Sequence, residues 1–457
     1  MSGLKLSVII PTYNRAEILQ KTLEALAQQT LSRQLFEVIV SDDGSQDHTR
    51  QVAEMFSDRL TIHYLYAPDQ GYRVAAARNR GASIAIGDIL VFIDSDVLLE
   101  PTALERHRDR HARGTDLVVI GRREEFRDVE PRGEWIANRL GEAVREGRLR
   151  EVCREIGLAG DLRDGKYREM GDLTSSPCPW SVFFTNNVSV GRVCFNRVGG
   201  FDEDFISWGI EDVELGYRLW RNGCRFEYEP EALGYHHPHP RDVLGQAHTN
   251  RDNRLLAFQK HPHYDMELFA TVRGRYFLRT LRYINALRAA RFLPDYSLLL
   301  PDLRGFVRAK TLMVGFPTET VCALKPVTSI GFFSDGFDYD LIGVRTPFKT
   351  DSFDVAIVSD IWRALPFSLM CKLFDEMRRV TRFVILSYQW EHVAAELYLE
   401  TEEALNLYAQ LNGLTLHQEK RGGIWYRLEY PQGEKDGTYE SRLSRRISGG
   451  EALSRLV

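Results

Sequence analysis

Residues 88–99 read DILVFIDSDVLL. Five apolar residues, Ile89 to Ile93, run into Asp94, Ser95 and Asp96, and apolar residues resume at Val97. An unbroken apolar run of this length suits a strand covered on both faces of a parallel sheet. Carboxylates are seldom buried unless they are paired or hold a metal. Asp94 and Asp96 therefore either end the strand at solvent or hold a cation. Strand side chains alternate, which sets these two on the same side of an extended segment. Hard divalent cations take such oxygen ligands together with phosphate oxygens.

The flanking sequence repeats the pattern. LSVII (Leu6–Ile10), FEVIV (Phe36–Val40) and TIHYLY (Thr61–Tyr66) read as strands, and RAEILQKTLEALAQQ and GYRVAAARNRGASIA as helices between them. Strands alternating with helices predict a doubly wound α/β domain whose ligands gather at the carboxyl ends of the strands. PTYN, SDDGS and DSD all fall there. Further on, DLVVIG (116–121) and SVFFTNNVSV (Ser181–Val190) have strand composition, and residues 122–168 are charged and helical in character. EDVELGYRLWRNG (Glu211–Gly223) predicts an amphipathic helix stopped by Gly223. A strand and a histidine-rich turn, GYHHPHP, follow.

The chain has 457 residues, 44% of them apolar and 27% charged, and a net charge of −5. That length predicts two or three domains, and the mild charge gives no reason to expect a nucleic-acid partner. The six cysteines include no CxxC pair, which fits a reducing compartment better than a disulfide or zinc scaffold. The N-terminal apolar run is too short for a signal peptide, and no run approaches the length that spans a bilayer. A cytoplasmic protein is expected, with contact at the inner membrane face as an open reading. That reading rests on residues 269–294, where Arg273, Arg275, Arg279, Arg282, Arg288 and Arg291 occur without an acid. The stretch predicts a helical connector, Arg275, Arg279 and Arg282 on one face and Phe277, Leu281, Ile284 and Leu287 on another.

VIIPTYNR, VSDDGSQDHT and DQGYRVAAARNRGASIAIGDILVFIDSD, in this order, resemble the nucleotide-sugar half of family 2 glycosyltransferases, which have a GT-A fold. TNNVSVGRVCFNRVGGFDEDFISWGIEDVELGYRLWRNG resembles the acceptor half of chondroitin-polymerase-like enzymes and of beta-1,4-galactosyltransferases. The resemblance covers residues 4–250. It implies an inverting, metal-dependent transfer from a UDP-sugar to a hydroxyl of a glycan, lipid-linked or peptide acceptor. Pro11 and Tyr13 would line the nucleoside pocket. Asp43 would bind the uracil ring, with Asp42 as competitor. Arg73, Arg78, Asn79 and Ser95 would approach the nucleotide or sugar. Asp94 and Asp96 would hold Mn²⁺ or Mg²⁺, with His236 as third ligand; His237 is the alternative and His239 ranks behind both. Asp212 would be the base and Glu211 its acceptor-site partner. Trp208, Asn186 and Asn187 would meet the acceptor. Each has a plainer reading: turn, helix N-terminus, core or strand end.

The C-terminal part, RTPFKTDSFDVAIVSDIWRALP and DEMRRVTRFVILSY, resembles the second half of class I methyltransferase domains. Its expected glycine-rich loop, MVGFPTET, holds only Gly315, followed by Phe316 and Pro317, so backbone cannot approach a cofactor there as it does through glycine. The expected organisation is a GT-A domain over 1–265 (nucleotide-sugar half 1–110, acceptor half 111–265), a connector over 266–308, a degenerate methyltransferase-like domain over 309–430 and a polar tail over 431–457. The last domain would serve packing, homodimer formation or acceptor binding. A bifunctional enzyme that also binds S-adenosylmethionine, and a non-catalytic sugar-binding scaffold, are the rival readings.

Overall fold

A computed structural model describes residues 3–429, apart from 115, 128, 240–241, 273, 290–295, 297–298, 325, 333–336, 389–401 and 421–423. The polar tail, Arg273 and Arg291 lie outside the described residues. The chain forms two compact units, residues 1–254 and 255–457.

The first unit is built on a nine-stranded sheet. Its strands are β1 (Leu6–Thr12), β2 (Phe36–Asp42), β3 (Ile62–Tyr66), β4 (Ile89–Ile93), β5 (Val97–Leu99), β6 (Leu117–Phe126), β7 (Leu158–Gly160), β8 (Asn187–Gly191) and β9 (Arg225–His236). They lie in the order β3-β2-β1-β4-β8-β6-β9-β5, with β7 on β6. β3, β2, β1 and β4 are parallel, whereas β8 runs antiparallel to β4 and β6. Strands β1, β2 and β4 are buried throughout, as their unbroken apolar runs require. The helix Ala16–Leu26 buries Leu19, Leu23 and Leu26 against this sheet. Gly44, at φ +104°, lets the turn after β2 touch the Asp69 backbone; a Cβ there would lie 2.3 Å from the Asp69 nitrogen.

The carboxyl ends of β1, β2 and β4 deliver PTYN, SDDGS and DSD to one edge, as the alternation of strands and helices predicts. The expected strand Ser181–Val190 is shorter. Pro179–Val182 is a 3₁₀ turn, and pairing starts only at Asn187. The expected helical stretch after residue 121 begins late, because β6 continues to Phe126 before helices Val129–Arg145 and Leu149–Ile156. Over RREEF the charges pair along the strand, Arg122 with Glu124 and Arg123 with Glu125, which lets a charged segment remain a strand.

The second unit starts at residue 255, inside the helix Val243–Lys260, eleven residues before the expected connector. Residues 266–308 are not a free connector: Met266, Leu268, Phe277, Leu281, Ile284 and Leu287 are buried. The apolar face that a membrane reading of 269–294 needs is thus covered by protein. Seven strands follow: β10 (Thr311–Val314), β11 (Thr328–Gly331), β12 (Tyr339–Asp340), β13 (Phe353–Val358), β14 (Thr381–Ser387), β15 (Thr415–Lys420) and β16 (Ile424–Glu429). Their order is β12-β11-β10-β13-β14-β16-β15, parallel through β14, with β16 antiparallel to both of its neighbours. No described helix is long and apolar enough to cross a membrane.

Candidate active site

The turn after β2 separates the two aspartates that the sequence left in competition. Asp42 is consumed by the fold: Oδ1 accepts the N–H groups of Gly44 and Ser45, and Oδ2 accepts the Tyr64 hydroxyl. Asp43 accepts the Arg73 N–H at 3.0 Å, and burial raises its carboxyl above the ordinary range. Arg73 therefore reaches this corner through its backbone. Pro11 is buried in β1, while Tyr13 is 45% exposed and donates its hydroxyl to Asp69 at 2.8 Å. The Ser95 carbonyl accepts the Thr22 hydroxyl, which pins DSD to the helix Ala16–Leu26.

Asp96 is 7% exposed. Its Oδ2 lies 2.7 Å from Arg15, 2.9 Å from His239 Nε2 and 3.8 Å from His236 Nε2. Burial alone would raise its pKa, but the His239 hydrogen bond and the charges of His236 and Arg15 hold it well below the usual carboxylate range. Asp96, His236 and His239 each present a ligand atom, all within 4.8 Å of one another. Asp96 Oδ1 is buried with no hydrogen-bond partner, an atom that a cation would satisfy. His236 turns its Nδ1 to Glu125 Oε2 at 3.0 Å, a carboxylate–histidine arrangement that fixes the ring of a metal ligand. The donor set of one carboxylate and two imidazoles fits a manganese-like ion.

The expected order of the histidines is corrected here. His239, ranked last, belongs to the cluster. His237 does not: its Nε2 faces Lys21 at 3.0 Å and its Nδ1 faces the Pro238 carbonyl. Burial, with the Lys21 charge, pushes His237 down to about 4. The rigid His-Pro-His sequence turns the second and third imidazoles to different sides.

Arg78 was expected at the nucleotide or sugar, but it joins two acids instead. It is 4% exposed and donates to Asp94 Oδ1 at 3.0 Å and to Glu211 Oε1 at 2.9 Å. Asp94 thus faces Arg78 and stands outside the Asp96–histidine cluster. Asn79 is also structural: its amide group bonds the backbone of Phe201 and the carboxylate of Glu203. Both side chains tie the helix Val74–Ile84 to the acceptor half, a long-range pairing that no local pattern announces.

Glu211 and Asp212 open the helix Glu211–Arg221, where the macrodipole favours anions. Glu211 is buried, and its Oε2 has no partner. Asp212 is half-buried and accepts the Thr185 and Val213 N–H groups. Burial, then the Glu211 charge, raises its carboxyl to about 7. The residue before the pair, Ile210, has φ +78°, a conformation that β-branched residues rarely adopt. Asn253 holds the preceding loop, donating to the Ser207 and Gly209 carbonyls, and Trp208 stands 43% exposed on it. Asn186 has a buried Oδ1 without a hydrogen-bond partner. Asn187 cannot meet an acceptor: it is fully buried, and its amide is used by the Arg122 and Ala232 carbonyls and by His107.

Sequence reasoning missed Arg15, Glu125 and Asn253. Arg15 immediately follows PTYN, and Glu125 alternates with Arg123 on β6, so both had a positional signal. Asn253 had none.

Residues 7–157 match the family model "Glycosyl transferase family 2", and residues 170–240 match "N-terminal domain of galactosyltransferase". Validoxylamine A glucosyltransferase of Streptomyces hygroscopicus subsp. jinggangensis is 35% identical over 78% of this chain and 90% of its own length. Chondroitin synthase of Escherichia coli is 31% identical over 51% of this chain and 35% of its own. A crystal structure of S. aureus TarS superposes with a TM-score of 0.45 at 16% identity, covering 70% of this chain and 84% of that one. The chain is a glycosyltransferase and belongs to glycosyl transferase family 2.

Proposed function

We propose an inverting, metal-dependent transfer of a hexose from a UDP-sugar to an acceptor hydroxyl, with Asp212 as base. The observation that carries this reading is the Arg78 bridge, which links Asp94 of DSD to Glu211 of the ED pair. It joins the loop that carries Asp96 to the helix start that carries Asp212, whose carboxyl is raised to about 7. Asp96, His236 and His239 would hold Mn²⁺ or Mg²⁺, and Glu125 would orient His236. A bound divalent cation offsets the charge that grows on the departing diphosphate. Asp212 Oδ takes the proton of the acceptor hydroxyl as that oxygen attacks the anomeric carbon and the bond to the diphosphate breaks. Glu211, hydrogen-bonded to Arg78 through Oε1, would accept a hydrogen bond from the acceptor through Oε2. Asp43 binds the base of the nucleotide, and Trp208 gives a sugar ring an apolar face. Glucose is the first sugar to test, because a relative is named for glucosylating validoxylamine A.

The test is UDP release from a panel of UDP-sugars with Mn²⁺ and with EDTA, for the native enzyme and Asp212→Asn. Metal-dependent release of UDP from one donor, lost in the variant while UDP still binds, supports the reading. Release unaffected by EDTA would remove the metal from it.

For the second unit, the sheet order supports a degenerate class I methyltransferase-like domain. Its strand order changes direction between β10 and β13, the place where α/β sheets take nucleotides. That crevice is filled by the chain itself. Tyr296 and Phe316 are fully buried with ring centroids 4.7 Å apart, and the Tyr296 hydroxyl donates to Asp360 at 2.7 Å. Titration of the full chain with S-adenosylmethionine is expected to give no heat; micromolar binding would restore the bifunctional reading.

A further inference from the structure

Lys166 lies in the helix Asp164–Met170 of the acceptor half. Its ammonium donates to the Ser181 carbonyl at 3.0 Å and sits 5.4 Å from the Phe184 ring centroid. Among the described residues, no carboxylate comes within ion-pair distance of it. Its cationic neighbour Arg163 has such a partner in Asp161, at 2.7 Å. A half-buried ammonium without a counter-ion is an unfavourable arrangement that a ligand can complete. Burial, with the charge of Arg254, pushes Lys166 down to about 8, so its present surroundings leave the charge under-compensated.

The position of Lys166 says which ligand. It grips the segment Ser181–Thr185 at one end, and the Thr185 N–H at the other end bonds Asp212. Lys166 and Asp212 thus flank one five-residue stretch and feel each other's charge. Arg254, on the helix that packs on the Trp208–Gly209 loop, adds positive potential on the same side. An acceptor that presents its hydroxyl to Asp212 brings its neighbouring substituents to Lys166.

We infer that Lys166 is the anchor of an acceptor subsite for an anionic group, a carboxylate or a phosphate carried next to the reacting hydroxyl. This rests on Asp212 being the base. The site would also disfavour acceptors with an ammonium at that place.

The test uses the full-length enzyme, Mn²⁺ and the UDP-sugar that it hydrolyses fastest. Transfer is compared between methyl glucuronide and methyl glucoside, which differ by the carboxylate, with glucose 6-phosphate as the phosphate arm. One charge-assisted hydrogen bond should favour an anionic acceptor in kcat/KM by about tenfold or more. Lys166→Met should bring that ratio to about one, and Lys166→Arg should keep it. A ratio near one in the native enzyme overturns the inference without help from any variant. So does a ratio that survives Lys166→Met. If Lys166→Met instead weakens UDP binding, the missing anion is the donor's diphosphate, and the acceptor subsite is overturned. Donor hydrolysis without any acceptor preference defeats the subsite alone; absence of both hydrolysis and transfer defeats the catalytic reading on which it rests.

Discussion

At the scale of single residues, the two adjacent carboxyls Glu211 and Asp212 are separated by their partners. Glu211 has the Arg78 guanidinium at 2.9 Å, whereas Asp212 has only two backbone N–H groups. As the proposed base, Asp212 must be deprotonated, and its carboxyl is raised to about 7 by burial and by Glu211. Transfer should therefore rise with pH through about 7 and fall on the acid side. Glu211→Gln removes the repelling charge, so the acid limb should move to lower pH, read from kcat/KM between pH 5 and 9. Asp212→Asn should cost about 10²–10⁴ in rate. In the proposed metal cluster, Glu125→Gln should weaken Mn²⁺ activation about 10- to 100-fold, measured by metal titration, because Glu125 holds the His236 ring. His237→Ala should leave the Mn²⁺ requirement unchanged, since His237 faces Lys21. Residue types were legible here while partners were not. The sequence shows three histidines in four residues, and only the path of the backbone decides that the first and third converge on Asp96.

At the scale of elements, unbroken apolar runs revealed the parallel strands, and the loops after them carry the donor-side acids. Charged runs within strands were harder to read, and β6 was cut short because Arg122–Glu125 are all charged. The links between elements were least legible. Arg78 and Asn79, adjacent on the helix Val74–Ile84, look like surface charge and polarity; in the fold they bind residues more than 120 positions away. Their length of reach is a tertiary property. Arg78→Met should leave Glu211 and Asp94 facing each other without a cation. Breaking a buried pair costs about 3 kcal/mol or more, and Asp94 at 35% side-chain exposure puts this case at the low end. Urea denaturation should show that loss in the first unit.

At the scale of the whole molecule, the two units differ in how they depend on pH. The second unit contains His263 between Asp265 at 2.6 Å and Asp340 at 2.7 Å. Burial would lower the imidazole pKa, but the hydrogen bonds and charges of the two aspartates outweigh it and raise His263 to about 9. A raised histidine contributes its full stability below the unfolded value of about 6.5 and loses it as pH rises through about 9. A shift of this size corresponds to about 3 kcal/mol before screening by water reduces it. Glu267, which accepts the N–H groups of Ile342, Gly343 and Arg345, is raised to about 8 by burial and acts in the same direction, because ionising it in the fold is harder than in the open chain. Unfolding of the second unit, followed by hydrogen exchange in β10 and β13, should therefore become easier between pH 6.5 and 9, over the range in which Asp212 becomes fully ionised. His263→Gln should flatten most of that dependence and leave the residue carried by Glu267. If the variant keeps the full slope, the His263 cluster is not what ties the helix Tyr264–Thr271 to β12. Alkaline pH thus acts oppositely on the two units: it deprotonates Asp212 in one while it loosens the other.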